Sequence, residues 1–464
     1  MTKKEYGKDP EKKGSKRKID WKALEIVHPD AAGIDIGGSE HWVAISPERD
    51  EQPIRCFECY TADLEEMADW LVERGVRSVA MQSTGVYWIP VFEILQQHGL
   101  EVYLVNARHT KNLPGRKSDI AECQWLLKLH TFGLLNNGFQ PSDQIRMART
   151  LWRHRGGLVA QSSSTIQRIQ KVLTEMNIQL SNVLSDLSGA SGMAIVQAIL
   201  KGERDPKALA ALADPQVKAS RAVIAKSLQG NWREELLFVL KQEVEMYRMY
   251  QERIGTCDEK VQEQLRTLSS KVDLKAQPVG PRPKGKRARG NAPKFDLRTE
   301  LYRITGVDWT QVDGIDVQIA QSVIAEVGVD LRAFPSEKHF ANWLGLCPTN
   351  ETSSGRVLNR RTPKVVNRAK LAFRQAASTL LRSQSYLGAQ YRRLRTRLGA
   401  PKAITAMARK LACLFYRLLK YGQQYVDKGA EFYESRYREQ QIRFVIKRAQ
   451  QLGLQVLQSV DKSA

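Results

Sequence analysis

The stretch Ala31-Ala32-Gly33-Ile34-Asp35-Ile36-Gly37-Gly38 is apolar apart from one carboxylate and ends on a pair of glycines. A short apolar run closed by a tight-turn signal reads as a strand. Ala31–Ile36 is therefore expected as a first strand carrying Asp35, and His41–Ser46 as a second strand across the Gly37-Gly38 turn. Ile54–Tyr60 reads as a third. Ala62–Arg74 has Leu64, Met67, Ala68 and Leu71 at helical spacing. Val76–Met81 is a largely apolar, central fourth strand, Trp88–His98 a helix and Val102–Val105 a fifth strand. Ser118–His130 is a helix with Ser118 as its N-cap.

The order β-β-β-α-β-α-β-α is that of the ribonuclease H-like fold. In such a sheet the first strand is central and its acid faces metal ions. Asp119 and Glu122 stand three apart on the last helix, which puts both side chains on one face. Hard divalent cations such as Mg²⁺ prefer carboxylate oxygens, and two of them can hold both the attacking and the leaving oxygen of a phosphoryl transfer. A full acidic quartet would have Glu at the end of the fourth strand. This chain has Gln82 there, isosteric but neutral, whose amide oxygen ligates metal more weakly. Glu40 is a nearby carboxylate, but its place by the hairpin turn argues against it. The bland alternative for the two helix acids is a solvated surface.

Beyond this region the pattern changes. Residues 1–22 are a polar, basic tail of disordered composition, and the α/β domain is expected over 23–140. Residues 141–272 read as helical. Arg146–Leu180 and Glu234–Leu268 carry apolar residues at helical spacing, the latter through Leu236, Leu240, Val244, Tyr247, Tyr250 and Ile254. A helical hairpin or coiled-coil arm for assembly is the expectation. Residues 273–297 form a basic loop rich in Pro and Gly, read either as a solvated linker or as a segment that orders on a phosphate backbone. From 298 to 427 the chain is basic and mainly helical, with helices over Lys338–Leu344, Lys364–Arg382, Gln384–Leu398 and Lys402–Tyr421, and 428–464 adds one more. Val312-Asp313-Gly314-Ile315-Asp316 weakly resembles the hairpin of a helix-hairpin-helix, with Asp316 in place of the second glycine. The fold class is thus α/β plus all-α.

The 464 residues carry a formal net charge of +22, which favours a polyanionic partner. A membrane surface is the competing partner. No apolar run approaches the roughly 18 residues of a spanning helix, and no apolar core follows the Lys-rich N-terminus, so nucleic acid is the better reading. The six cysteines are scattered. Cys56 and Cys59 form a single C-x-x-C without a second pair, a weak zinc signal, and are read as small buried hydrophobes. No phosphate-binding G-x-x-x-x-G-K-[ST] loop is present.

A hydroxyl completes the chemistry. Ser353 lies in Asn350-Glu351-Thr352-Ser353-Ser354-Gly355-Arg356. A serine is a weak nucleophile until deprotonated or metal-bound. Arg356, Arg360, Arg361, Lys364 and Arg368 follow it and suit flanking phosphates and the charge that develops at phosphorus. The competing reading is an ordinary polar turn.

Gly33-Ile34-Asp35, the Met81–Trp88 stretch, Asn106-Ala107-Arg108-His109 and Gly115-Arg116-Lys117-Ser118-Asp119 through Gln124-Trp125-Leu126 resemble the DEDD-type transposases of bacterial insertion sequences, the insertion-sequence one-hundred-ten family. Phe340-Ala341-Asn342-Trp343-Leu344-Gly345-Leu346-Cys347-Pro348, Ser353-Ser354-Gly355-Arg356 and Asn367-Arg368-Ala369-Lys370 are similar to that family's second domain. The resemblance covers roughly residues 28–180 and 298–425. It implies a RuvC-like domain with Asp35, Gln82, Asp119 and Glu122 as catalytic and metal-binding residues, holding Mg²⁺ or Mn²⁺. It implies a C-terminal transposase domain whose nucleophile falls on Ser353, with Ser354 as the alternative. Arg116 and Lys117 join the nucleic-acid contacts. The implied partners are double-stranded donor and target DNA, a structured non-coding guide (bridge) RNA and further copies of the chain in a dimer or tetramer. The implied setting is the bacterial cytoplasm, at the nucleoid. Two other functions compete: a metal-dependent RuvC-like junction nuclease in which the serine is idle, and a non-catalytic nucleic-acid-binding relative, which Gln82 favours.

Overall fold

A computed structural model describes residues 25–83, 85–106, 118–283, 290–349, 351–354, 356–359, 361–363, 365, 367–422 and 429–455. The chain divides into two compact units, Met1–Gln140 and Pro141–Ala464.

The first unit follows the expected order: β1 (Ala31–Ile36), β2 (Glu40–Ile45), β3 (Ile54–Glu58), α1 (Thr61–Glu73), β4 (Ser78–Gln82), α2 (Trp88–Gln97), β5 (Glu101–Val105) and α3 (Asp119–Thr131). The sheet order is β3-β2-β1-β4-β5. The first three strands form an antiparallel meander, and β1, β4 and β5 run parallel. This puts β1 in the centre, as expected. Strand side chains alternate between faces. Ile34, Val43, Val79, Met81 and Leu104 join one buried core with Met67 and Leu71 of α1 and Val91 and Leu95 of α2. The opposite face holds Ala80 and Val105, packed with Leu126 of α3 and Leu135. The free edge of β5 is closed without a further strand: Leu104 N donates to Asn137 Oδ1 at 3.1 Å, Asn137 Nδ2 donates to Val102 O at 3.3 Å, and Gly138 N donates to Leu104 O at 2.8 Å. A covered edge is protected from pairing with another chain.

The second unit begins with α4 (Asp143–Glu175), followed by α5 (Ala190–Leu200), α6 (Pro206–Ala211), α7 (Arg221–Ser227) and α8 (Glu234–Arg266). The helical hairpin expected from the apolar spacing is present. Cys257 Sγ reaches Leu151 O at 3.5 Å, Gln251 Nε2 donates to Ser162 Oγ at 2.9 Å and Arg168 donates to Glu243 at 2.7 Å. Partners descend along α8 as they climb along α4, so the helices are antiparallel. Arg155 and Asp258 form a buried ion pair between them. Arg155 also donates to Asn291 O at 3.0 Å, and Lys294 N donates to Asp258 Oδ2 at 3.1 Å, so the pair anchors the chain that follows the basic loop. At its far end α4 enters a small core of its own, where Ile169, Val172 and Met176 meet Ile195, Ile199, Leu209, Ile224 and Leu240.

The rest of the unit comprises α9 (Leu297–Thr305), α10 (Val317–Val327), α11 (Glu337–Trp343), β6 (Glu351–Ser353), β7 (Arg356–Asn359), α12 (Arg368–Thr379), α13 (Tyr386–Leu398), α14 (Ala400–Tyr421) and α15 (Gly429–Gln451). An aromatic core binds these helices: Trp309 stacks on Phe415 at 4.1 Å between centroids, and Tyr416 Oη donates to Phe334 O at 2.7 Å. The near end of α4 is latched to α10. Arg149 donates to Ala325 O and Glu326 O at 3.2 and 2.9 Å, Arg153 grips the Glu326 carboxylate with two bonds of 2.9 and 2.7 Å, and Trp152 Nε1 donates to Ser322 Oγ at 3.0 Å.

Three expectations change here. The helix expected from Lys364 begins at Arg368, because Asn367 is its N-cap and accepts from Lys370 N at 3.1 Å. The carboxylate of Asp316 caps α10 by accepting from Ile319 N at 2.8 Å. One N–H of the first turn is therefore already satisfied within the chain, and the cap places a carboxylate where a phosphate-binding hairpin would favour a neutral residue. The cysteines at 56 and 59 are exposed, not buried. Among the described residues no helix is long and apolar enough to cross a membrane.

Candidate active site

Alternation along β1 sends Ala32, Ile34 and Ile36 into the core beneath α1 and α2, so Gly33 and Asp35 face α3. Gly33 lets the helix come close. A β-carbon there would overlap Leu127 N and Cys123 O and lie 2.9 Å from Leu127 Cα. With α3 resting on the bare backbone of β1, its first turn is brought beside Asp35. Ser118 begins that turn by accepting from Ala121 N at 3.3 Å. Asp119 and Glu122 sit within it, where the helix dipole favours negative charge.

The fourth residue comes from the neighbouring strand. Ile34 pairs with Met81 in the parallel ladder, so Gln82 stands one step on, beside Asp35 and on the same face. It is buried, and its Nε2 donates to Glu122 Oε1 at 2.6 Å. A carboxylate at 82 would repel Glu122; the amide binds it instead. Asp35 has its pKa raised to about 6, first by burial, then by the negative charges of Glu122 and Asp119, against a hydrogen bond from Ile36 N–H that lowers it. Three carboxylates and an amide thus share one electronegative patch. Among the described residues no group of three His, Cys, Asp or Glu side chains is close enough to hold an ion as it stands. The donor set is nevertheless of the kind that hard divalent cations take, and the mutual repulsion felt by Asp35 is what a cation relieves.

Glu40 lies on the same face but is engaged elsewhere: it accepts from Trp42 Nε1 at 3.2 Å. Partial burial, together with the carboxylates of Glu40, Glu58 and Asp119, holds the Cys56 thiol above its usual range. Behind the acids, Cys123 is fully buried and its thiol is pushed up to about 12, chiefly by burial, which makes it packing rather than a nucleophile.

In the second unit Ser353 ends β6 and pairs with Arg356 of β7 in an antiparallel hairpin. Ser353 and Ser354 are both exposed. Ser354 takes the turn with φ of 48°, a left-handed conformation rare for a residue with a side chain. Arg356, Arg361 and Arg368 are exposed nearby in sequence. Arg361 is fixed by its backbone, its carbonyl accepting from Thr349 N and Oγ1, both at 3.0 Å. Arg116, Lys117, Arg360 and Lys364 lie outside the described residues.

Comparison with known proteins follows the same two regions. Residues 32–178 match the family model of IS110-type DEDD transposases, described as Transposase. Residues 309–392 match that of the Transposase IS116/IS110/IS902 family. No curated protein matches the chain. The first match holds the sheet, α3 and all four site residues, and the second holds the serine hairpin. An acid-bearing sheet with both matches in this order identifies a DNA-processing enzyme, and the chain belongs to the IS110 family of insertion-sequence transposases.

Proposed function

We propose that the chain is a DNA recombinase that cuts and rejoins strands through a serine–phosphodiester link, with Asp35, Gln82, Asp119 and Glu122 as its metal-binding residues. The observation that carries this reading is the convergence of those four side chains on one face of the sheet around a half-buried, electrostatically stressed Asp35. Bound Mg²⁺ or Mn²⁺ would supply Lewis-acid stabilisation of charge on the phosphate oxygens. Asp35, Asp119 and Glu122 provide the anionic ligands, and Gln82 orients Glu122 through its amide. Ser353, or Ser354 at the turn, presents the attacking hydroxyl. A bond forms from its oxygen to phosphorus as the bond to the 3′ oxygen breaks, leaving a free 3′ hydroxyl. Arg356, Arg361 and Arg368, with Arg116, Lys117, Arg360 and Lys364, hold flanking phosphates. The bond energy kept in the link allows rejoining without a nucleotide cofactor.

In this reading the helical pair α4/α8 is a coiled-coil assembly arm in a dimer or tetramer. Sequence choice belongs to a guide (bridge) RNA that pairs with donor and target DNA, with the protein reading backbone and shape. The +22 charge suits both nucleic acids. The enzyme would work at the nucleoid in the bacterial cytoplasm.

The test is a search for the covalent adduct. Full-length protein with the element's non-coding RNA, Mg²⁺ and DNA spanning the element's end is resolved on a denaturing gel, and the joined peptide is identified by mass spectrometry. Ser353→Ala is expected to abolish the adduct and Asp35→Asn to abolish cleavage. Loss in Ser354→Ala but not Ser353→Ala moves the nucleophile by one residue. Cleavage that survives both serine changes without an adduct refutes the serine chemistry and favours the hydrolytic nuclease.

A further inference from the structure

Two aromatic residues follow β4, and the fold uses them differently. Trp88 packs against the core, edge-on to Phe92 at 5.7 Å. Tyr87, its neighbour, is 51 % exposed. Val86 and Ile89 beside it are exposed as well, and so is Ile120, which lies between Asp119 and Glu122. An apolar group of this kind left in water next to a polar site marks a contact surface rather than a packing defect.

The position of the ring is defined by two glycines. A β-carbon on Gly38 would lie 3.7 Å from Tyr87 Cζ, and one on Gly85 3.5 Å from its Cδ2 and Cε2. Gly38 comes three residues after Asp35 and Gly85 three after Gln82. The ring therefore stands over the carboxyl-terminal ends of β1 and β4, the strand ends that deliver Asp35 and Gln82. No side chain at 38 or 85 covers it. Gly85 also has φ of 56°, so a larger residue there would be strained as well as in the way.

We propose that Tyr87 is a stacking platform for an unpaired nucleobase next to the phosphodiester handled by Asp35, Gln82, Asp119 and Glu122. The inference rests on the reading of those four residues as a DNA-cutting site. A π-face in water beside a phosphate site suits a base turned out of the duplex, because every base offers a face and stacking needs no particular sequence. Tyr87 then positions the strand: with the base held, the phosphate on its flank cannot slide past the acids.

The test uses the full-length protein with the element's RNA, and DNA spanning the element's end with 2-aminopurine placed in turn at each base flanking the cut. Ca²⁺ replaces Mg²⁺ for binding, and Mg²⁺ is used for cleavage. Wild type and Tyr87→Phe are expected to quench the probe at one position. Tyr87→Leu is expected to lose that quench, bind about tenfold more weakly and cut correspondingly less, with an unchanged thermal midpoint. Quench and cleavage retained in Tyr87→Leu would overturn the stacking role while leaving the cutting site intact. Loss in Tyr87→Phe would overturn it too, since the hydroxyl rather than the ring would then be acting. A wild-type protein that binds the DNA but never cuts it refutes the underlying site and the platform with it.

Discussion

Gly33 and Leu127 meet backbone to backbone: a β-carbon on the first would overlap the amide nitrogen of the second. This contact sets the height of α3 above β1, and with it the distance of Asp119 and Glu122 from Asp35. Gly33→Ala forces the helix outward. Overpacking of this kind costs about 1–3 kcal/mol, and misplacing reacting groups by about 1 Å can cost roughly a hundredfold in rate. The variant is expected to remain folded with a lowered thermal midpoint and to lose cleavage almost entirely. Wild-type cleavage in a folded Gly33→Ala protein would show that the helix acids need no such placement.

The Gln82–Glu122 hydrogen bond makes a second prediction. Gln82→Glu replaces an attractive contact with repulsion and adds a fourth carboxylate to the patch. The variant is expected to be less stable without divalent cations and to bind Mg²⁺ roughly tenfold more tightly, since one added charge pair near a protein surface contributes a few kcal/mol at most. Calorimetric titration with Mg²⁺ at pH 7.5 measures it. Unchanged or weaker affinity would remove Gln82 from the metal-binding set.

His130 gives the first unit a pH-dependent stability. It is fully buried on α3, within 3.0 Å of Ser78 Oγ on β4, and stacks on His28 at 4.4 Å. Burial, and secondarily the charge of His28, lowers its pKa from the ordinary 6.5 to about 4. Because the folded value lies below the unfolded one, the neutral ring's contribution is fully present above pH 6.5 and is lost as pH falls toward 4. Between pH 7 and pH 5 this amounts to about 2 kcal/mol. Urea denaturation at the two pH values should show the loss in wild type and a smaller one in His130→Gln. Equal pH dependence in both would place the titration elsewhere.

The buried Arg155–Asp258 pair predicts an asymmetry in the arm. Arg155→Ala strands a buried carboxylate, which typically costs about 3–5 kcal/mol. Arg155→Met with Asp258→Leu removes both charges and should be markedly less destabilised. Thermal unfolding of the two proteins decides it. Equal losses would mean that the pair acts through its hydrogen bonds to Asn291 and Lys294, not through its charge.

Much of this was legible in the chain. The central strands β1 and β4 announce themselves because both faces are covered, so their apolar content is high, and Ser118 marks the start of α3 because an N-cap is a local chemical device. The β6–β7 hairpin was not legible. Its strands are three and four residues long, and Glu351-Thr352-Ser353 contains no apolar residue, so no period betrays it. The four candidate residues were legible one by one but not as an arrangement. The Gln82–Glu122 bond joins positions forty apart. Only the folded sheet shows that the amide at 82 is a donor to the Glu122 carboxylate. Tyr87 was hidden for a related reason: nothing in the sequence separates it from Trp88, and only its exposure does.

From its grip on Glu326 at Arg153 to its entry into the distal core at Ile169, α4 runs about sixteen residues, or about 24 Å, as continuous helix. Such a shaft does not flex on the scale of a side chain. The same helix thus ties the small distal core to α10 and the aromatic helices packed around it.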